Sequence, residues 1–502
     1  MLRNVSSNWI VTLLSILSAY LLTPFTLHQL GNDGYGTWNL IASITGYIGL
    51  LALGVPMASV RYFAQYAAEG DIPKLNAAVG SCTALYLALG AVALVVGGVL
   101  YAVFRFNYNL PMAIRGDANV AFVLTVLFLA VGFVGMLPSA ILSAHDDFVL
   151  RNTVRMAGIV LRVGLTLWLL SVHATLAVVA LIQLACLLFD FCACCLIVVR
   201  RYPGIRIRLG DFEWVMVRRI FSFSFYVLLL NVGLRLAFET DALVIGAFRD
   251  VGSIPFFTIA SSLILYLMEM ILAIAAVVMP TATRLNTQGK SAELRAIFLK
   301  WSKIAFSLTM MPGLFLLVLG PRFMAWWINS TFERPSGQVL QILLWSSLVF
   351  LPARGVALPI LMGLGKPGLP TIGFLAASLL NLALSVWLVH PLGLVGVALG
   401  TAIPNAIFAG LVVVHACREL KTPIADYLRY VIPRVTLGAV PALALLLWFK
   451  LGLEVRSLGG LAGAGVAMTL LFGFTSLVFV YRNDPYMDLW LRLARFRGRN
   501  GA

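Results

Sequence analysis

The sequence predicts an all-α polytopic membrane protein with fourteen transmembrane helices, arranged as two six-helix lobes followed by two C-terminal helices. Three observations predict this fold: the apolar composition, fourteen long apolar runs and an internal repeat. Of the 502 residues, 61% are apolar and only 11% are charged, whereas soluble domains carry about 25% charged residues. This composition excludes a soluble domain.

Fourteen apolar runs are long enough to cross a bilayer, since a transmembrane helix needs about 20 such residues. They are residues 5–27, 37–58, 79–104, 119–143, 154–171, 175–199, 220–247, 254–282, 304–328, 338–363, 369–389, 393–416, 432–450 and 457–481. The first run is too long for the core of a signal peptide. We therefore expect it to remain in the protein as the first span.

The basic residues predict the orientation of these spans. Of the 36 Lys and Arg residues, 26 fall in segments on one side of the membrane, seven on the other, and three within spans. Because cytoplasmic loops of membrane proteins carry an excess of Lys and Arg, both termini are predicted to be cytoplasmic. The net charge of +16 then reports topology, and no nucleic-acid partner is expected.

An internal repeat divides the chain. Ile41-Ala42-Ser43 recurs as Ile259-Ala260-Ser261, and two further pairs of residues recur at nearly the same offset, 217 to 219 residues later. Six spans per lobe give both lobes the same orientation, which predicts a pseudo-two-fold axis along the membrane normal. The predicted parts are an N-lobe (1–199), a basic cytoplasmic linker (200–219), a C-lobe (220–431), spans 13 and 14 (432–481) and an amphipathic basic tail (482–502).

The seventh predicted span carries charge near its middle. Asn231, Arg235 and Glu239 are spaced four residues apart, so on a helix they form one polar stripe that cannot face lipid. Two interpretations stay open at this stage. Arg235 binds an anionic substrate on its way across the membrane, or Arg235 and Glu239 neutralise each other as an i,i+4 pair.

Two other spans also place arginine near the membrane centre, Arg162 in span 5 and Arg354 in span 10. Arg155 shares a helix face with Arg162 and with Arg151, which makes a basic stripe running inward from the cytoplasmic edge. Arginine stays protonated and binds phosphate oxygens through paired donors. We therefore predict that Arg155, Arg162, Arg235 and Arg354 bind a diphosphate head group.

Acidic and small polar residues complete the candidate site. Glu269, Glu239 and Asp190 are candidates for coupling transport to protons or sodium, Glu269 foremost because burial raises the pKa of a carboxyl group. The predicted polar lining of a cavity between the lobes comprises Asn8, Asn39, Ser43, Asn231 and Asn381. Small polar residues also serve as ordinary packing contacts between membrane helices, so that alternative remains.

Enzyme signatures are missing from the sequence. There is no glycine-rich phosphate loop ending in Gly-Lys-Ser/Thr, and the predicted extracytoplasmic loops are too short for a catalytic domain. The six cysteines lie in or beside apolar runs without metal-finger spacing, and the five histidines form no cluster. We expect buried thiols, no metal, no cofactor and no enzymatic activity.

Several short motifs resemble one known family. Pro24, Leu30-Gly31, Tyr35-Gly36-Thr37-Trp38 and Arg61-Tyr62 are similar to the opening of bacterial polysaccharide biosynthesis membrane proteins, the O-antigen and exopolysaccharide flippases. Thr240-Asp241 through Ile245-Gly246 resembles that family's seventh span. The family belongs to the multidrug/oligosaccharidyl-lipid/polysaccharide exporter superfamily, and the similarity extends over essentially the whole chain.

The resemblance implies a function and a location. It implies that the protein moves a polyprenyl-diphosphate-linked oligosaccharide across the bacterial plasma (inner) membrane by alternating access. It also implies association with membrane lipid and with the polysaccharide polymerase and export machinery. None of the arginine assignments comes from the family pattern; they come from the charge and position of the residues.

Three other functions are alternatives to this one. A peptidoglycan lipid-precursor flippase shares fourteen spans and is the main alternative. A multidrug-extrusion cation antiporter needs a carboxylate in the cavity of the first lobe, but span 1 has none and only Asp190 in span 6 could substitute. A membrane glycosyltransferase needs acidic residues on a substantial outer loop, which the sequence does not predict.

Overall fold

The structure is a computed structural model of the full chain. It describes residues 2–52, 55–218, 232–233, 235–237 and 239–487. Within these residues the regular secondary structure is entirely helical. The chain packs as two compact units, Met1–Pro255 and Phe256–Ala502, which are described separately below.

Within the described residues, the first unit is built from helices that follow one another along the chain. They are α1 (Leu2–Gly46), α2 (Val55–Glu69), α3 (Ile72–Asn107), α4 (Met112–Ala144), α5 (Phe148–Val172), α6 (Leu176–Arg201) and α7 (Thr240–Phe248). Side chains cap several helix starts. Asp71 accepts from the backbone N–H of Lys74 before α3, and Thr175 accepts from that of Val178 at the start of α6, as N-cap residues do. These caps explain why the helices begin where they do.

The second unit contains the remaining helices. They are α8 (Ile254–Thr287, whose first two residues belong to the first unit), α9 (Ser291–Trp327), α10 (Pro335–Pro352), α11 (Leu358–Gly363), α12 (Gly368–Leu392), α13 (Leu394–Glu419), α14 (Ile424–Val431), α15 (Pro433–Leu451) and α16 (Leu458–Thr475). A π-turn, Ala353–Ala357, joins α10 to α11, and a second, Ser476–Val480, follows α16. Proline opens α10 and α15, where its missing N–H costs nothing.

Twelve helices of the described residues are long and apolar enough to cross a membrane, which confirms a multi-pass membrane protein. Predicted spans 1 and 2 both overlap a single one of these, Ile10–Ala52, whose helix is broken at Gly31 with φ +68°. Predicted span 7, residues 220–247, lies largely outside the described residues. Each other predicted span overlaps one of the twelve. The number fourteen and the orientation of the termini stay predictions.

The helix boundaries repeat along the chain. Helices α3, α4, α5 and α6 begin at residues 72, 112, 148 and 176, and α9, α10, α12 and α13 begin 218 to 223 residues later. The turns before α3 and α9 have the same hydrogen bonds around a left-handed glycine, Gly70 and Gly289, each with φ +69°. The left-handed turns at Asp146 and Gly365 are likewise 219 residues apart. These matches support the predicted repeat, while the predicted lobe boundaries, which differ from the boundary at Pro255, stay predictions.

Helices α12 and α13 form the tightest helix pair of the second unit. An added Cβ at Gly400 would lie 2.8 Å from the Cα of Ser385, and one at Gly396 only 2.0 Å from the carbonyl oxygen of Leu388. Small residues at such positions let membrane helices approach closely. Asn381 of α12, predicted to line a cavity, is only 2% exposed, and its neighbours Ser378 and Ser385 on the same helix are likewise buried.

A buried polar cluster attaches the segment after α16 to α9 and α14 within the second unit. The Lys303 ammonium on α9 contacts an Asp484 carboxylate oxygen at 2.5 Å, and both side chains are almost fully buried. Tyr430 of α14 donates a hydrogen bond to the same carboxylate at 2.7 Å. The predicted spans leave Lys303 just before span 9, outside the membrane, and in the structure the segment after α16 covers it.

Candidate functional site

Residues predicted to bind a diphosphate meet at a cavity of about 510 Å³ inside the first unit. Arg155 and Arg162 line it together with Asp190, which was predicted separately from another span. The rest of the lining is Phe128 and Ser139 of α4, Arg151, Gly158 and Ile159 of α5, and Gln183, Cys186 and Leu187 of α6. Three helices that follow one another in the chain therefore form the cavity.

The helical period explains this convergence. Arg151, Arg155, Gly158 and Arg162 are spaced four, three and four residues apart on α5, so their side chains project from one face. On α6, Gln183 and Asp190 stand two turns apart. Two polar faces thus meet within otherwise apolar helices, and the predicted basic stripe is present.

The cavity is lined by more positive than negative side chains. Among the described residues, Arg155 and Arg162 form no hydrogen bond or ion pair, and both are exposed. Arg151 donates to the Ser143 hydroxyl at 3.0 Å. The Asp190 carboxylate interacts electrostatically with Arg151 and Arg155. Within the described part of the chain, however, no basic group lies within 4.0 Å of it. Three guanidinium groups therefore face one carboxylate, with donors available to an anion.

Arg235 lies in a different setting. Its guanidinium contacts the Glu239 carboxylate at 2.8 Å, and each of the two side chains is 34% exposed. Gly46 and Gly49, beside the end of α1, leave the space that the guanidinium occupies, since an added Cβ at these positions would lie 2.8 and 3.3 Å from its nitrogens. The i,i+4 pair left open by the sequence thus forms, and the head-group role of Arg235 stays a prediction.

Arg354 belongs to the second unit and sits in the π-turn after α10. Its guanidinium carbon lies 5.8 Å from the ring centre of Phe350 and 5.4 Å from that of Phe374. Cation–π contacts of this kind stabilise a positive charge in an apolar region. The structure therefore explains how the span holds this arginine, and its role as a diphosphate ligand stays a prediction.

The predicted coupling carboxylates occupy three different environments. Asp190 lines the cavity and Glu239 pairs with Arg235, whereas Glu269 of α8 is exposed. The expectation that Glu269 is buried is wrong, because its side chain is exposed in this structure. Coupling through any of the three carboxylates stays a prediction.

The predicted polar lining is mainly occupied by contacts within and between helices. Asn39 donates to the Tyr35 carbonyl at 2.8 Å, Ser43 is buried at 6% exposure, and Asn381 donates across to Thr401 of α13 at 3.1 Å. Asn231 and the side chain of Asn8 lie outside the described residues. Of these, Asn381 makes a contact between two helices and Asn39 bonds within its own helix, and the lining of a transport cavity by these residues stays a prediction.

Sequence reasoning missed Gln183 and Ser139 as cavity residues. The spacing of Gln183 seven residues before Asp190 on one apolar helix is a signal that could have found the first. Ser139 gave no such signal, because its position depends on how α4 packs. No group of three or more His, Cys, Asp or Glu residues able to hold a metal ion occurs in the described residues.

The fold defines a class, the helical multi-pass membrane proteins. Solved structures share the fold. Lipid II flippase MurJ in an inward closed conformation matches with a TM-score of 0.69 and 14% identity, covering 93% of this chain and 98% of that one. An inward-facing multidrug resistance MATE family transporter of the MOP superfamily matches with a TM-score of 0.67 and 18% identity, covering 80% and 94%.

The sequence places the chain within a particular family. The family described as polysaccharide biosynthesis protein matches residues 1–286, more than half of the chain, and the protein belongs to this family. The uncharacterized membrane protein EpsK of Bacillus subtilis (strain 168) is 23% identical, with the match covering 99% of this chain and 98% of the relative. The resemblance noted in the sequence is thereby confirmed.

Proposed function

We propose that the protein is a flippase that moves a polyprenyl-diphosphate-linked oligosaccharide, an O-antigen or exopolysaccharide repeat unit, across the bacterial inner membrane by alternating access. The observation that supports this most directly is the cavity of the first unit, in which Arg155 and Arg162 keep their hydrogen-bond donors available. Hydrocarbon rejects a diphosphate, so an anionic head group needs such donors in order to cross. The lipid tail can stay in the bilayer.

The chemistry of the cavity matches a diphosphate. Charge-assisted hydrogen bonds from arginine to phosphate oxygens are about twice as strong as neutral ones, and two or three guanidinium groups can bind both phosphates. Asp190, beside Arg151 and Arg155, supplies a competing negative charge. We propose that this carboxylate limits the affinity so that the head group can leave, and that it is the first candidate for proton or sodium coupling.

The membership of the protein in a polysaccharide biosynthesis family favours a glycan-linked lipid over other lipid diphosphates. The MurJ-like fold keeps a peptidoglycan-precursor flippase as the second candidate, since the same arginines suit its diphosphate. A cation antiporter fits less well, because three arginines face one carboxylate in this cavity. Cations would be repelled from such a site.

The test uses purified full-length protein in nanodiscs, with a polyprenyl diphosphate and the corresponding neutral polyprenol as probes. Wild type should bind the diphosphate preferentially, and Arg155→Gln/Arg162→Gln should reduce that preference at least tenfold, because hydrogen bonds to charged groups contribute about 1.5–3 kcal/mol each. Arg105→Gln/Arg115→Gln, a pair of exposed arginines away from the cavity, is the matched control. An unchanged preference in the cavity variant would exclude this site.

In cells, the same cavity variant should insert normally and cause lipid-linked glycan to accumulate on the cytoplasmic leaflet. The chemical analysis of the accumulated lipid distinguishes the two candidate functions. A repeat unit of surface polysaccharide supports the first, and a peptidoglycan precursor supports the second. Normal export in the variant would contradict both.

A further inference from the structure

The segment after α6, residues 204–218, is predicted to be a linker but is fixed to α3; we call it the strap. The Asn76 side chain donates to the Gly204 carbonyl at 3.1 Å and accepts from the Arg206 N–H at 2.9 Å. Five residues further along α3, the Ser81 hydroxyl accepts from the Glu213 N–H at 2.9 Å. The strap therefore has two separate points of attachment on one helix.

Between these two attachments the strap backbone lies directly against α3. An added Cβ at Gly80 would be only 2.8 Å from the Arg208 carbonyl oxygen and 3.0 Å from the carbonyl carbon of Asp211. A side chain at position 80 would push the strap away, since the obstructing atoms include backbone. The contact is thus built into the sequence of α3 and does not reflect a loosely lying loop.

The outer face of the strap is amphipathic. Leu209, Trp214 and Val215 are 54%, 70% and 63% exposed, and the ring centres of Phe212 and Trp214 are 6.3 Å apart. The exposed basic residues of the strap are Arg206, Arg208 and Arg218, and in the described part of the chain none of them forms an ion pair. Exposed tryptophan and leucine beside unpaired arginine is the composition of segments that lie in a membrane interface.

The attachments also place the two kinds of residue at different levels along α3. Helix α3 begins at Ile72, so with a rise of about 1.5 Å per residue Asn76 lies about 6 Å and Ser81 about 14 Å from its start. Arg206 is held at the level of Asn76, and Trp214 follows the residue held by Ser81. The arginine end of the strap therefore lies nearer the start of α3, and the tryptophan end lies roughly 8 Å further along this helix.

From this arrangement we propose that the strap and the first turns of α3 form a binding site for anionic phospholipid, separate from the transport cavity. Arg206 and Arg208 bind the lipid phosphate while Trp214 and Leu209 insert among the upper acyl carbons. The occupant is the bilayer's own anionic lipid, because Arg206, Arg208 and Arg218 outnumber the two acidic residues of the strap, Asp211 and Glu213. The strap is therefore net positive beside exposed apolar side chains, which complements a negative membrane surface. Lipid in this site anchors the connection between the sixth and seventh spans to the first unit.

The first test measures lipid binding by the full-length protein with native mass spectrometry, using phosphatidylglycerol and phosphatidylcholine as probes. Wild type should retain phosphatidylglycerol selectively. Arg206→Gln/Arg208→Gln should weaken this binding about thirtyfold, because each basic residue near an anionic surface contributes about a fivefold factor. Arg105→Gln/Arg115→Gln removes the same charge from the last turn of α3 and the first turn of α4 and should change little. Equal affinity of the two double variants for phosphatidylglycerol would overturn the proposal.

The second test concerns the attachment to α3. Gly80→Ala should displace the strap and weaken phosphatidylglycerol binding, whereas Gly98→Ala on the same helix, with nothing within 4 Å of its added Cβ, should bind as wild type does. A fluorophore on Trp214→Cys in a cysteine-free background should be quenched by lipid-borne quenchers. Two results would contradict a membrane-bound strap. One is quenching of the fluorophore only by water-soluble quenchers, and the other is protection of the fluorophore from quenching only when the protein self-associates. Diphosphate binding in the cavity should be unchanged in all of these variants.

Discussion

Replacing Lys303 tests the buried cluster that attaches the segment after α16 to α9 within the second unit. Lys303→Met removes the ammonium that contacts Asp484 Oδ2 at 2.5 Å and the Val480 carbonyl at 2.9 Å. The carboxylate is then left buried, at 0% side-chain exposure. Removing one partner of a buried ion pair costs about 3–5 kcal/mol. We expect the lower end of this range, about 3 kcal/mol, for a reason visible in the structure.

The other carboxylate oxygen of Asp484 keeps its donors in the variant. Oδ1 accepts from the Tyr430 hydroxyl at 2.7 Å and from the backbone N–H groups of Tyr486 and Met487 at 3.0 Å each. Among the described residues, Lys303 is the donor to Oδ2. The variant thus loses one of these four hydrogen bonds and leaves Oδ2 without this donor, while the three bonds to Oδ1 limit the loss of stability.

The assay is equilibrium unfolding of the full-length protein in mixed micelles, with a double-mutant cycle. Lys303→Met/Asp484→Leu removes both charges and should recover most of the lost stability, because replacing a buried ion pair by apolar residues is often neutral. A single variant that loses less than about 1 kcal/mol, as a surface pair would, would refute the argument. So would a double variant that is no more stable than the single one.

The pH dependence of the two proteins gives an independent check. Burial raises the pKa of Asp484, but hydrogen bonds from Lys303 and Tyr430 outweigh it, and the pKa lies below its ordinary value of 3.8. This stabilisation is therefore present above the ordinary carboxyl pKa and is lost as the pH falls through the lower folded value. Wild type should lose nothing through Asp484 between pH 8 and 5. In Lys303→Met burial dominates, so the deficit should shrink toward acid pH.

Three further variants test the helix pair, a helix cap and the charged stripe. Gly400→Ala should force α12 and α13 apart and lower stability by about 1–3 kcal/mol. Gly410→Ala, with open space around it, should not lower stability. Equal thermal stabilities of the two variants would contradict the packing argument. Asp117→Ala removes the carboxylate that accepts from the first N–H groups of α6 and should cost about 1 kcal/mol by the same unfolding assay, with Asp117→Asn intermediate. Arg235→Ala should leave the protein inserted but lower glycan export, measured in cells; normal export would exclude Arg235 as a head-group ligand.

The sequence determined the class of the molecule and most of its helices. A run of about 20 apolar residues has one stable arrangement in a bilayer, since every backbone N–H and C=O must be satisfied within the helix. For that reason composition alone predicted the spans. The basic stripe of α5 was equally predictable, because Arg151, Arg155 and Arg162 share a face wherever that helix lies. The repeat was visible in short matches, but the correspondence of Asp146 with Gly365 was not, since different residues hold the same turn.

Only the tertiary structure decided which polar groups meet. The same spacing argument applied to Arg162 and Arg235, yet the first faces a cavity and the second a carboxylate one turn away. Asn381 and Glu269 were both assigned to the transport pathway, and packing buries one against α13 and leaves the other exposed. Lys303 meets Asp484, 181 residues later, through the fold. Helical period fixes directions within one helix, whereas partners come from neighbouring helices, and their identity depends on packing between segments far apart in the chain.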